Sequence, residues 1–139
     1  MNPQEKWTIE PDSPMGRALR KGPLRVVVTG GRNYSDVEYL NFVLNSLYIV
    51  ELAQGGATGA DSLARRWAEK HSVPCTTYDA EWAKYRKAAG IMRNREMLTG
   101  FRPDLVVAFP GGKGTAHCVQ FALSIGIPVW KVPNAESSA

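Results

Sequence analysis

The chain has 139 residues, 44% of them hydrophobic and 22% charged, and carries a net charge of +4. That length suits one domain with its own core, and no apolar run approaches the roughly 18 residues that a membrane helix needs. The N-terminus is polar, with Pro3, Glu5, Glu10, Pro11, Asp12 and Pro14. It lacks the apolar stretch of a secretory signal, so a cytoplasmic location without membrane contact is expected. Cys75, Cys118, His71 and His117 show no ligand-like spacing, which predicts free thiols, no metal site and no required cofactor.

Residues 1–22 read as an N-terminal tail of mixed charge and no period. Basic residues Arg17, Arg20, Lys21 and Arg25 cluster at or just before the first apolar run, a charge that suits an anionic ligand or simply a solvated face. Leu24 to Thr29 is β-branched and nearly continuous, as in a strand buried on both faces. It runs into Gly30-Gly31-Arg32-Asn33. Ser35 or Asp36 then caps a helix with Leu40, Val43, Leu44 and Leu47 at helical spacing. Tyr48 to Ala53 is a second strand, entering the turn Gln54-Gly55-Gly56-Ala57-Thr58-Gly59.

From Ala60 the period is helical again, with an apolar stripe of Leu63, Ala64, Trp67 and Ala68. Pro74 to Tyr78 reads as a third strand. Residues 79–89 mix polar and aromatic types without a clear period. Ile91 to Leu98 predicts a helix closed by Gly100. Asp104 to Phe109 is a fourth strand leading into Pro110-Gly111-Gly112-Lys113-Gly114-Thr115. A helix from Thr115 to about Ser124, a fifth strand over Ile127 to Lys131 and a small polar tail over 134–139 complete the chain.

Strand and helix thus alternate about five times with short connections. This predicts an α/β fold: a Rossmann-like three-layer sandwich around a central, mostly parallel sheet of about five strands, spanning residues 23–133. In such a sheet the glycine loops all lie at the carboxyl edge of the strands, where ligands bind.

Three strands end in paired glycines: Gly30-Gly31, Gly55-Gly56 and Gly111-Gly112. One such pair is explained by turn geometry alone. Three at one edge point to close approach of a ligand, with free N–H groups and a helix N-terminus offered to a phosphate. The third loop lacks the glycine spacing and Lys-Ser/Thr ending of a Walker loop. Its Gly111, Gly112 and Gly114 would form an anion nest, with Thr115 capping the helix and Lys113 turned to the ligand or to water. Arg32 and Asn33 follow the first pair directly, where a guanidinium can hold a phosphate. Asp61, after Gly59-Ala60, either favours the helix dipole or binds a ribose hydroxyl. Arg93-Asn94-Arg95 lies on a helix, so only one of the two arginines faces any site. Trp82 and Tyr85, among Lys84, Arg86 and Lys87, serve either as core or dimer packing or as a stacking platform for a base.

Four motifs in order carry a family resemblance: Val-Thr-Gly-Gly-Arg-Asn-Tyr (28–34), Gly-Gly-Ala-Thr-Gly-Ala-Asp (55–61), Ala-Ala-Gly-Ile-Met-Arg-Asn-Arg-Glu-Met (88–97) and Phe-Pro-Gly-Gly-Lys-Gly-Thr-Ala (109–116). From about Leu24 to Lys131 the chain resembles the YspA-related, cpYpsA-like branch of the SLOG superfamily. That superfamily also holds the Lonely Guy (LOG) phosphoribohydrolases, the DprA/Smf proteins and the ligand-sensing SLOG domains of bacterial defence systems. The resemblance implies a Rossmann-like sheet and a nucleotide-related ligand, of which an ADP-ribose-like molecule is one example. It places Gly30, Gly31, Arg32, Asn33, Gly55, Gly56, Ala57, Gly59, Asp61, Arg93, Asn94, Gly111, Gly112, Lys113, Gly114 and Thr115 at the site.

LOG enzymes read Pro-Gly-Gly-x-Gly-Thr-x-x-Glu, and the Glu position here is Cys118. Without that carboxylate, a module that senses, carries or sequesters its ligand is expected rather than a phosphoribohydrolase. If the chain is an enzyme, Arg93 and Asp61 are the expected participants. Kinship with DprA and an isoelectric point near 9.2 keep single-stranded DNA binding as a further alternative. A homodimer or higher homo-oligomer is expected from the SLOG relatives, with the Trp82 and Trp130 regions as apolar surface.

Overall fold

The computed structural model describes residues 22–134 together with Ser13, Gly16 and Arg17. Almost all of the two expected tails, including Arg20 and Lys21, lies outside the described residues. The elements run β1 (Leu24–Thr29), α1 (Val37–Asn45), β2 (Ile49–Gln54), α2 (Ala60–Lys70), β3 (Cys75–Thr77), α3 (Trp82–Tyr85), a 3₁₀ turn (Arg86–Ala88), α4 (Ala89–Phe101), β4 (Leu105–Ala108), α5 (Lys113–Ser124) and β5 (Val129–Lys131).

All five strands are parallel, in the order β3-β2-β1-β4-β5. The Val-rich β1 is the middle strand, as its continuous apolar run requires. Alternate residues of β1 feed opposite layers. Val26 and Val28 pack with Leu40 and Leu44 of α1 and Ala64 and Trp67 of α2. Val27 packs on the other face with Met97 and Leu98 of α4 and Cys118 and Ala122 of α5. The expected three-layer Rossmann-like sandwich is therefore the observed one. The chain winds from β1 out to β3 on one side and then fills β4 and β5 on the other. This reversal opens a crevice beside the carboxyl ends of β1 and β4.

Local chemistry fixes the joints. Asp36 caps α1, its Oδ1 accepting from the Tyr39 N–H at 3.1 Å. Trp67 Nε1 donates to Asn45 Oδ1 at 2.9 Å and joins α2 to α1. Arg25 pairs with Glu51, donates to the Phe101 carbonyl and lies over the Phe101 ring. Arg25 thus serves packing at the amino end of β1, away from the glycine edge, and is not part of a ligand-directed cluster.

Most element ends shift by a residue or two from the sequence reading, and two of the shifts bear on the site or the core. The helix α4 continues through Gly100, because Phe101 is buried in the core beyond it. It stops at Arg102, which is left-handed at φ 54°, followed by Pro103, which cannot continue a helix. The helix α5 starts at Lys113 with Gly112 as its N-cap, so Thr115 sits inside the first turn and does not cap it. The ambiguous stretch 79–89 resolves into α3 and the 3₁₀ turn, neither of which buries a residue. No helix among the described residues is long and apolar enough to cross a membrane.

Candidate functional site

The first glycine loop is the hub of the carboxyl edge. Its Gly31 N–H donates to the Pro110 carbonyl at 2.9 Å, and its Gly31 carbonyl accepts from the Ala60 N–H at 3.1 Å. The Thr58 hydroxyl donates to the Arg32 carbonyl at 3.1 Å. All three loops are therefore tied together before any ligand arrives. Gly59 makes this possible. Its φ is +74°, and a Cβ there would lie 2.1 Å from the Gly31 carbonyl oxygen, so only glycine satisfies both the backbone and the contact. Gly111 is constrained by contact alone: a Cβ there would run into Thr115 Oγ1 and lie 2.7 Å from Gly31 N.

Between the loops lies a cleft of about 830 Å³. The first loop contributes Gly30, Gly31 and Arg32, and the second contributes Gly55, Gly56 and Ala57, with Asp61 from the start of α2. Arg93 enters from α4, and Gly112, Lys113, Gly114 and Thr115 enter from the third loop and α5. Twelve of the sixteen expected residues thus line one space. Asn33, Gly59, Asn94 and Gly111 do not: Asn33 is exposed outside it, the two glycines hold loops together, and Asn94 is buried behind Arg93.

Arg93 is set by its neighbours rather than by solvent. Its Nη1 donates to the Gly55 carbonyl, and its Nε donates to Asn94 Oδ1 at 2.9 Å. Asn94 in turn reaches the Gly114 carbonyl and His117 Nδ1, each at 3.2 Å, through its Nδ2. Burial and the charge of Arg95 lower the His117 pKa, so the ring is neutral and Nδ1 accepts. Arg95 itself lies over Phe121 on the exposed side of α4. Of the two arginines, Arg93 alone faces the cleft.

Asp61 is only 5% exposed. Burial pushes its carboxyl up to about 6, against the opposing pull of the Ala57 N–H, the Arg93 charge and the Gly55 N–H. The Ala57 N–H donates to Asp61 Oδ2 at 3.2 Å, so one oxygen orders the second loop. Cys118, at the position of the LOG glutamate, is fully buried in the layer under α4 and α5. Burial raises its thiol to about 11, with the Thr29 hydroxyl and Arg93 opposing. A thiol so placed stays protonated and does not act as a nucleophile. Among the described residues no group of three or more His, Cys, Asp or Glu could hold a metal ion.

The α3 segment supplies the remaining wall. Trp82 is half exposed, lines the cleft, and has the Arg32 guanidinium 5.7 Å from its ring centroid. Tyr85 pairs instead with Lys84 and does not line the space. Thr29, Thr58, Asp79, Ala80 and Gly90 also line it and were not singled out from sequence. A signal existed for Asp79: it directly follows the third strand, whose carboxyl end lies on the same edge as the glycine loops.

The sequence profile of the YspA, cpYpsA-related SLOG family matches residues 24–85, from β1 to the end of α3. The Gene 61 protein of Mycobacterium phage D29 is 38% identical over 117 residues, covering 76% of this chain and 93% of that protein. Among solved structures, UDP-GlcNAc 2-epimerase from Neisseria meningitidis, bound to UDP-GlcNAc, aligns with 80% of this chain at 14% identity and a TM-score of 0.49. The chain spans 32% of that enzyme's length. The profile match together with the phage relative, aligned over nearly its whole length, shows that this chain belongs to the YspA, cpYpsA-related SLOG family.

Proposed function

We propose that the chain binds a nucleotide or nucleotide-derived ligand, ADP-ribose-like in chemistry, in the cleft at the carboxyl edge of the sheet, and holds it without cleaving it. The observation that carries this reading is the convergence of three glycine loops and the cations Arg32, Arg93 and Lys113 on one cleft of about 830 Å³, a volume typical of small-molecule sites. The first turn of α5 has no side-chain cap. Its N–H groups, and the space that the absent side chains of Gly112 and Gly114 leave open, suit a phosphate. The buried, protonated Cys118 supports binding over turnover, because nothing at that position stabilises an oxocarbenium-like centre.

One observation favours an enzyme as the second reading. Asp61 lines the cleft beside Arg93 with a pKa near 6, a value suited to acid–base work at neutral pH. Incubation with nucleotides and ADP-ribose, followed by chromatography of the ligand pool, separates the two. Binding without product formation is expected; a cleaved ligand whose formation requires Asp61 would replace the binding role with catalysis.

In this reading the protein acts in the cytoplasm and self-associates. Phe42 and Tyr48, 69% and 57% exposed, offer apolar surface for that contact. Trp130 packs against the core and contributes less than its sequence position implied.

A further inference from the structure

Phosphate chemistry accounts for the β4 side of the cleft, but it does not account for Trp82. Its half-exposed indole lines the cleft and offers a flat π-face to it. Its segment buries nothing, so packing does not explain it either. Its partner is Arg32, whose guanidinium lies over the ring and is paired with no carboxylate among the described residues. Gly90 stands behind the indole: a Cβ there would lie 3.6 Å from Trp82 Cη2, an ordinary contact.

We propose that Trp82 and Arg32 form the nucleobase subsite of the cleft, which takes a nucleoside diphosphate with its base against the indole and its phosphates at α5. This rests on the reading of the cleft as a nucleotide site and adds which end takes which part. A planar heteroaromatic base stacks on the indole regardless of its hydrogen-bonding edge, and the delocalised cation closes over its other face. Sandwiching a ring needs roughly 7 Å between the two planes, two contacts of about 3.5 Å. The exposed Arg32 guanidinium, 5.7 Å from the ring centroid, has to withdraw to admit a base. Trp82 folds back from the end of β3 onto Arg32 of the first loop, while Gly112 and Lys113 enter the same cleft from the end of β4. A nucleoside diphosphate offers a base to the indole and phosphates to α5; pyrophosphate offers only the phosphates.

The test compares ADP with pyrophosphate by calorimetry on the full chain, using wild type, Trp82→Ala and Trp82→Phe. Wild type should bind ADP more tightly than pyrophosphate. Trp82→Ala should weaken ADP by roughly 5- to 100-fold and leave pyrophosphate unchanged, while Trp82→Phe should retain most of the ADP affinity. Because Trp82 lies outside the core, the thermal midpoint without ligand should not move. Unchanged ADP affinity in Trp82→Ala would overturn the subsite and leave the nucleotide site standing. An equal loss of both probes, or loss of self-association with it, would make Trp82 structural and overturn the proposal. Wild type that binds pyrophosphate as well as ADP, or binds neither, overturns it too.

Discussion

Gly112 and Gly59 show how differently two glycines of one edge can be used. Gly112 has φ −99° and nothing within 4 Å of a built Cβ, so any residue fits the backbone there, and its side chain would fill the cleft. Gly112→Asp should therefore abolish binding of an anionic ligand. Its stability should be unchanged or raised by a few tenths of a kcal/mol, since Asp is a slightly better N-cap than Gly; calorimetry and urea unfolding check the two halves. Gly59→Ala should do the reverse and destabilise the fold by at least about 2 kcal/mol, through its positive φ and its clash with the first loop. Arg93→Ala should weaken ligand binding by about 1.5–3 kcal/mol, the worth of a charge-assisted hydrogen bond, with a change inside error placing the guanidinium outside the contact.

Asp61 carries a pH signature. Its folded pKa of about 6 lies above the ordinary carboxylate value of 3.8, so between about pH 4 and 6 the folded chain holds a proton that the unfolded chain has lost. Stability then falls as pH rises through that window, by up to about 3 kcal/mol, and is flat above it. Asp61→Asn should flatten this profile in urea unfolding measured across pH. The glycine pairs made these positions visible in the sequence. Their division of labour was not visible, because it depends on which loop each Cβ would strike.

The elements α4 and α5 are coupled through one buried amide. Asn94 on α4 holds Arg93, the Gly114 carbonyl at the start of α5, and His117 one turn further. Asn94→Ala should cost about 1–3 kcal/mol of stability, because it leaves several buried polar groups without a partner; it should also weaken ligand binding by releasing Arg93. Denaturation and calorimetry on the same variant test both. From the sequence Asn94 reads as a ligand contact, since a motif gives residue identity without helix face. The alternation of elements was legible from apolar period and glycine punctuation because local patterning dominates there. The end of α4 was not, because burial of Phe101 overrides the helix-stopping tendency of Gly100. The α3 segment, with no residue buried, left no period to read.

At the scale of the molecule, the parallel order β3-β2-β1-β4-β5 does the assembling. It brings residues from positions 29 to 115 around one crevice, and the hydrogen bonds among the three loops leave little to organise on binding. Strand-end glycines made this edge predictable, whereas Asp79 and the Trp82–Arg32 wall depend on how the segment after β3 folds back toward the first loop. A preorganised site of this kind turns ligand binding into global stability: at a hundredfold excess over Kd it adds about 2.7 kcal/mol, a midpoint rise of roughly 10 °C for a domain of this size. The most direct measurement is a thermal-shift screen of the purified chain against nucleotides, nicotinamide dinucleotides, ADP-ribose and cyclic nucleotides, with mass spectrometry of each stabilising compound after incubation. The account predicts a rise of that order with at least one nucleotide derivative recovered intact, and no rise in Gly112→Asp. No stabilisation by any of them, or recovery of the ligand only as cleaved products, would contradict it.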